Sequence, residues 1–300
     1  MKIIYGINNI GKIKKPVVAL GVFDGVHRGH RRILKAAAQK AQAIAGTSVV
    51  LTFWPHPQKQ ASLYSLEHRL RLIAELGIDI CVVINFTGSF AGIPAEDFIK
   101  NILADKIAAR YVYVGKDFRF GRKAQGDFNL LKRIGKDCGF QARGINIIKV
   151  KGRAISSTLI RRLIRQGEIK QAEKLLSRPV SILGTVIKGT AVGRILGFPT
   201  ANINPHHEVI PAAGIYAVKI IFGRDKLKGA CYIGNRPTLE LKNKKVNIEV
   251  YIFNFKKNIY SKYLEIQFVK RIRADRKFAS LELLAGQIQK DVAICRRLLA

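Results

Sequence analysis

The segment Gly21-Val22-Phe23-Asp24-Gly25-Val26-His27-Arg28-Gly29-His30 sets two imidazoles three residues apart among three glycines. Two imidazoles so spaced, at or just inside the first turn of a helix, can both reach one phosphoryl group. There they can donate hydrogen bonds to the charge that builds at phosphorus during attack. Phosphoryl and nucleotidyl transfer ask for such positioning and neutralisation more than for a protein nucleophile. The plain alternative is a Gly-rich turn with surface histidines. A metal site is the weaker reading, because no third ligand lies nearby in sequence.

Other segments carry related chemistry. Ser156-Ser157-Thr158 followed by Arg161 gives three hydroxyls and a guanidinium at a helix start, suited either to capping free N–H groups or to holding a phosphate. Gly115-Lys116-Asp117-Phe118-Arg119-Phe120-Gly121 alternates aromatic rings with charge. A planar ring ligand fits such rings with Arg119 near a phosphate, and a tight turn with Phe118 and Phe120 in the core fits equally. His56, between Pro55 and Pro57, is either a ligand contact or a structural loop histidine. Gly184 and Gly189 have the spacing of a Walker loop, yet Thr190 stands where the lysine belongs and no long helix follows. A P-loop is therefore excluded, and Lys188, Gly189 and Arg194 remain as a flap over phosphates. Thr200 and Asn202 offer hard oxygens suited to Mg²⁺ held partly by substrate phosphates, or simply form a turn beside Pro199. In Asn247-Ile248-Glu249-Val250-Tyr251-Ile252-Phe253, Glu249 falls in the polar phase. It is placed either to accept a hydroxyl proton or to sit exposed on a strand.

The elements that must position these groups follow from periodicity. Pro16–Leu20 reads as a buried strand, residues 31–45 as a helix closed by Gly46, and 48–54 as a second strand. Helices over 67–76, 94–108 and 127–138 alternate with strands over 79–86, 111–114 and 145–150. Alternation of this kind makes a doubly wound parallel sheet with its ligand across the strands' carboxyl ends. Beyond Arg178-Pro179 the helical period vanishes and short strands with frequent glycines take over. A small antiparallel barrel capped by a helix over 280–299 is expected there, which divides the chain into domains 1–179 and 180–300.

Composition bounds the partners. No apolar run reaches the length of a membrane span, since Asp79 and Asn85 interrupt the best stretch, and no leader-like apolar segment opens the chain. Four widely separated cysteines form no metal or redox spacing, so reduced thiols in a cytoplasmic protein are expected. The formal charge is +33, with 32 basic against 12 acidic side chains in residues 1–180 and 21 against 8 in 181–300. Polyanions, acidic lipid surfaces and phosphorylated small molecules are all compatible with it, as is a merely solvated surface. The spread of the charge, without a nucleic-acid fold signature, argues against a dedicated nucleic-acid or membrane partner.

Taken together, these motifs resemble the bifunctional riboflavin kinase/FMN adenylyltransferases, the prokaryotic FAD synthetases, from about Val17 to Asp291. Gly21 to His30, Thr52 to Pro57, Gly115 to Gly121 and Ile155 to Arg161 are similar to the adenylyltransferase module. Gly193 to Asn202, Tyr232 to Thr238, Glu249 and Arg273 to Phe278 are similar to the kinase module. The resemblance implies a Rossmann-like nucleotidyltransferase domain followed by the barrel, with ATP as co-substrate and Mg²⁺ as cofactor. Riboflavin, FMN and FAD would be substrate, intermediate and product. It implies Glu249 as kinase base, Thr200 and Asn202 on the metal, and His27 and His30 at the adenylyl transition state. Gly21, Phe23, Asp24, Gly29, Ser156, Thr158, Arg161, Lys188 and Gly189 would bind ATP. His56, Asp117, Phe118, Arg119, Arg194 and Arg273 would contact flavin. Leu159, Tyr251 and Asn254 depart from the family's usual Arg, His and Asp. An adenylyltransferase for another phosphate acceptor and a basic nucleic-acid-binding protein on the same scaffold are the competing expectations; the oligomeric state is open.

Overall fold

The computed structural model describes residues 1–58, 61–150, 152–189, 192–206, 209–235 and 246–300. Chain contacts divide them into two units, Met1–Ser62 with Leu66–Ser157 and Leu63–Ser65 with Thr158–Ala300.

In the first unit six strands form one sheet: β1 (Lys2–Tyr5), β2 (Pro16–Leu20), β3 (Thr47–Trp54), β4 (Ile80–Asn85), β5 (Tyr111–Gly115) and β6 (Gln141–Ile145). Their order is β1-β4-β3-β2-β5-β6, and every pairing is parallel. Parallel neighbours need crossovers. These are α1 (Arg28–Ala43), α2 (Leu66–Ala74), the short α3 (Gly88–Ala91) and α4 (Ala95–Asp97) leading into a π-helical stretch Phe98–Lys106, and α5 (Phe128–Asp137). Side chains alternate across the sheet. Val18, Leu20, Val49, Leu51, Val112 and Val114 share a core with Phe98, Ile99, Leu103, Leu131 and Ile134. Val17, Ala19 and Val50 are as deeply buried, and α1 packs on β2, β3 and β5. The chain leaves β2 toward β3 on one side and meets β5 on the other, so the carboxyl ends of β2 and β5 flank the point where strand order reverses.

One expected strand is corrected. The fifth strand of the sequence reading, 145–150, is displaced to Gln141–Ile145, and Lys149–Val150 instead forms β7 of a hairpin with β8 (Arg153–Ala154). The true strand lies at the sheet edge and is half-exposed, so its Gln-Ala-Arg-Gly-Ile lacks the apolar run of a central strand.

The second unit opens with α6 (Ser157–Arg165), which starts at the division, and α7 (Ile169–Leu176). Its barrel comprises β9 (Val180–Ile187), β10 (Ala201–Pro205), β11 (Gly214–Phe222), β12 (Asp225–Asn235), β13 (Val246–Ile252) and β14 (Tyr263–Ala274). The strands close antiparallel in the order β10-β13-β12-β11-β14-β9. A four-residue helix α8 (Val192–Ile195) lies between β9 and β10, and α9 (Leu281–Leu299) packs on β11, β12 and β14. Chain contacts group α6 from Thr158 onward and α7 with the barrel, α7 packing on β9 and β14.

Candidate active sites

The front site is built on the turn between β2 and α1. His27 is the N-cap of α1, and its Nδ1 accepts the backbone N–H of His30 at 3.3 Å. The two imidazoles stack with centroids 3.6 Å apart, and Phe23 meets His30 edge-on at 5.4 Å. A side chain on Gly29 would press on the His27 ring at 3.1 Å, and one on Gly21 would press on the Phe23 ring at 3.1 Å. Phe23, Asp24 and His27 are buried. The Asp24 carbonyl accepts the Ser157 hydroxyl at 2.7 Å. Ser157, between Ser156 and Thr158, thus reaches this turn.

The neighbouring strand ends add further groups. After β3, the Trp54–Pro55 bond is cis and His56 is buried, its Nδ1 accepting the Gln58 N–H at 3.2 Å. After β5, Asp117 folds back over Gly115, where an added Cβ would lie 2.8 Å from its Oδ1 and 3.8 Å from Ile33 of α1. Phe118 stacks on Phe120 at 6.0 Å. Arg119 pairs with Asp127 at 3.3 Å, and Asp127 also caps α5 by accepting the Leu130 N–H at 2.9 Å. In the second unit, described by itself, Arg161 is buried on α6 and donates to Thr158 Oγ1 at 3.3 Å, and Thr158 is exposed, as is Ser156 at the end of the first unit. Leu159 is half-buried on the same helix.

One front residue escaped the sequence reading. Arg69, on α2, is fully buried; its Nη1 donates to the Val22 carbonyl at 2.7 Å and its guanidinium lies 5.2 Å from the Trp54 ring. Burial lowers its pKa, opposed by the nearby Asp24 and Cys81. The signal was present: Arg69 occupies the apolar phase of Leu66, Leu70 and Ile73, where a solvated arginine does not belong.

The rear site lies on the barrel. Asn202 of β10 is paired in register with Glu249 of β13, and Glu249 with Tyr232 of β12. The alternation of β13 puts Ile248, Val250 and Ile252 inside and Asn247, Glu249 and Tyr251 on the other face, as the sequence pattern predicts. The Glu249 carboxylate accepts the Thr200 hydroxyl at 2.9 Å through Oε2 and the Asn247 amide at 2.6 Å through Oε1. The Asn202 amide is buried against Gly189, and a methyl group there would overlap it. Lys188 and Arg194 are exposed. Burial, then Asp275, whose Oδ2 accepts its hydroxyl at 3.2 Å, push the Tyr232 phenol up to about 12. Arg273 is held by Asp291 of α9 through Nε at 3.0 Å and Nη2 at 2.8 Å. Its guanidinium is thereby an anchor between β14 and α9 in addition to any ligand role. Tyr251 packs edge-on to Phe198 at 5.4 Å, and Asn254 is left-handed at φ 54°. Thr190 and Ala191, with Arg236, Pro237 and Thr238 of the Tyr232–Thr238 motif, lie outside the described residues.

Comparisons with known proteins match both halves of the chain. The FAD synthetase family model matches residues 10–159 and the riboflavin kinase model residues 176–299. A bifunctional riboflavin kinase/FMN adenylyltransferase of Buchnera aphidicola (subsp. Schizaphis graminum) is 38% identical over 99% of this chain and 98% of its own length. Proteins of the same name from Escherichia coli K12 and Pseudomonas fluorescens are 34% and 32% identical, over 97% and 98% of their lengths. A solved structure titled macrolide-efflux protein, from Streptococcus pneumoniae, superposes with a TM-score of 0.87 at 28% identity over 99% of both chains. Among the described residues no helix is long and apolar enough to cross a membrane. These matches favour neither an adenylyltransferase for another acceptor nor a nucleic-acid-binding scaffold. With both modules matched in order along one polypeptide, the chain belongs to the bifunctional riboflavin kinase/FMN adenylyltransferase family.

Proposed function

We propose that this enzyme runs its two reactions on two separate residue sets, one around Glu249 and one around the His27–His30 pair. In the first reaction the terminal ribityl hydroxyl of riboflavin attacks the γ-phosphate of ATP and gives FMN. In the second the FMN phosphate attacks the α-phosphate of another ATP and gives FAD and pyrophosphate.

The observation that carries the kinase assignment is the Glu249 carboxylate, fixed by the Thr200 hydroxyl and the Asn247 amide. A carboxylate has about four lone-pair positions, so two accepted bonds leave room for the ribityl hydroxyl. Glu249 takes that proton as the oxygen closes on phosphorus. Thr200 and Asn202 suit Mg²⁺: both carry neutral oxygens, Thr200 is bonded to the Glu249 carboxylate and Asn202 is paired with Glu249 in register, and Gly189 leaves space at the Asn202 amide. Among the described residues no three His, Cys, Asp or Glu side chains gather, so ATP phosphates complete such a ligand set. When bound, the ion neutralises charge on the transferring phosphoryl group. Lys188 and Gly189 serve the ATP of this step, Arg194 and Arg273 its flavin.

For adenylyl transfer, His27 and His30 donate to the α-phosphate as charge develops. Gly21 and Gly29 supply the close backbone approach, with Phe23 and Asp24 in the same turn. Ser156, Thr158 and Arg161 hold ATP phosphates, while His56, Asp117, Phe118 and Arg119 line the flavin side. We assign residues 1–179 to this module and 180–300 to the kinase, which the two family matches support. A cytoplasmic location is in keeping with four cysteines that form no disulfide.

The test is a product assay by chromatography, supplying riboflavin or FMN with ATP and Mg²⁺. Glu249→Ala is expected to lose FMN formation and keep FAD formation from supplied FMN; replacement of His27 and His30 by Ala is expected to do the reverse. Loss of both steps in either variant would overturn the division.

A further inference from the structure

The turn that carries the histidines is strained. Phe23, Gly25 and Val26 have φ of 52°, 82° and 39°, and Val26 is β-branched, a residue type for which left-handed backbone is a true outlier. Such a turn persists only when its surroundings over-determine it. The Val22 carbonyl, which opens it, accepts two hydrogen bonds from two other elements: Thr52 Oγ1 of β3 at 2.8 Å and Arg69 Nη1 of α2 at 2.7 Å.

Arg69 is an expensive way to make that bond. Its side chain has no exposure, and Nε and Nη2 are buried without a hydrogen-bond partner among the described residues. Nη1 reaches one further acceptor, the Phe53 carbonyl, at 3.5 Å. A leucine or methionine would complete the apolar face of α2 without desolvating a charge. What it could not do is donate to Val22.

We propose that Arg69 and Thr52 are positioning residues for FMN adenylylation. Together they clamp the Val22 carbonyl and so hold the left-handed turn that presents His27 and His30. The proposal rests on the assignment of those histidines to adenylyl transfer. Neither residue touches substrate; each acts through the turn.

Full-length Thr52→Val, Arg69→Met, Arg69→Lys and the Thr52→Val/Arg69→Met double variant test this, with kcat and KM measured separately for FAD formation from FMN. Riboflavin phosphorylation in the same preparations controls for folding. The expected drop in kcat is about tenfold for T52V and about a hundredfold for R69M, the scale of a small misplacement of catalytic groups. KM for ATP and FMN stays at the wild-type value, and R69K regains part of the rate because an ammonium can still donate to Val22. The double variant loses less than the product of the single losses, because both donors serve one acceptor. Wild-type kcat in T52V and R69M, or a loss confined to KM, overturns the clamp. If R69M fails to fold, the isosteric T52V decides alone. Full FAD formation by a His27→Ala/His30→Ala variant overturns the histidine assignment and the clamp with it. Loss of FAD formation there, beside wild-type rates in T52V and R69M, overturns the clamp only.

Discussion

Thr200 and Glu249 meet on the barrel surface, the threonine hydroxyl donating to the carboxylate at 2.9 Å although 49 residues separate them in sequence. Thr200 immediately precedes β10, and Glu249 sits mid-way along β13, so it is closure of the barrel that brings them together. Glu249→Gln keeps the size and removes the proposed base. FMN formation should fall by about a thousandfold while FAD formation from supplied FMN is unchanged, measured as two separate initial rates.

Gly189→Ala probes the pocket of the Asn202 amide without touching any acid or base. The new methyl group overlaps that amide, which can swing away because it is the end of a side chain. Folding stability should therefore hold, with an unaltered melting temperature. Riboflavin phosphorylation should weaken and demand more Mg²⁺, since Asn202, proposed to hold that ion, is displaced.

His27 caps α1, and substitution can separate that task from the one proposed for it at the α-phosphate. As N-cap it contributes about 1 kcal/mol to α1. His27→Asn keeps a capping oxygen and removes the imidazole. This variant should fold as the wild type does, judged by circular dichroism, and lose about a hundredfold in FAD formation.

The thiols supply a pH-dependent readout. Burial raises Cys81 and Cys295 from the ordinary 9.0 to about 12, and raises Cys231 further. Thiolate is the reactive form, so these three should resist a thiol reagent at pH 8 until the protein is unfolded, leaving the half-buried Cys138 to react first. Each folded pKa lies above its unfolded value. The stability these groups add is complete below about pH 9 and is lost as pH climbs toward 12, which alkaline denaturation should reveal.

Arg273 and Asp291 form a pair with the carboxylate 4% exposed. Asp291→Ala should cost about 3 kcal/mol by stranding the guanidinium, and replacing both partners with apolar residues should cost less. Chemical denaturation of the two variants beside the wild type decides it.

Much of this was legible from residue order. β2, β3, β4 and β5 are central, apolar and bounded by turn formers, so their pattern was unambiguous. The polar phase of Glu249 and the N-terminal place of His27 followed from periods of two and of 3.6 residues. What escaped were features decided by tertiary context. β1 buries only Ile4 of its four residues, too little to register as a strand, and is defined by its pairing with β4. β6 is a polar edge strand. Arg69 stands out from the apolar phase of α2, but the carbonyl it serves is decided by tertiary contact and not by any period. Likewise the engagement of Arg273 by Asp291 joins positions 18 apart, with no periodicity to announce it.

The alternation along β13 makes the enzyme sensitive to chain length as well as to chemistry. One residue added between Val246 and Glu249 would reverse the parity of everything after it, turning the carboxylate into the barrel's oily lumen and Val250 out to water. Two added residues would restore the facing but slide Glu249 past Asn202 by one repeat of the pleat. Evolution can therefore exchange side chains along this strand one at a time, but it has almost no freedom to change their number.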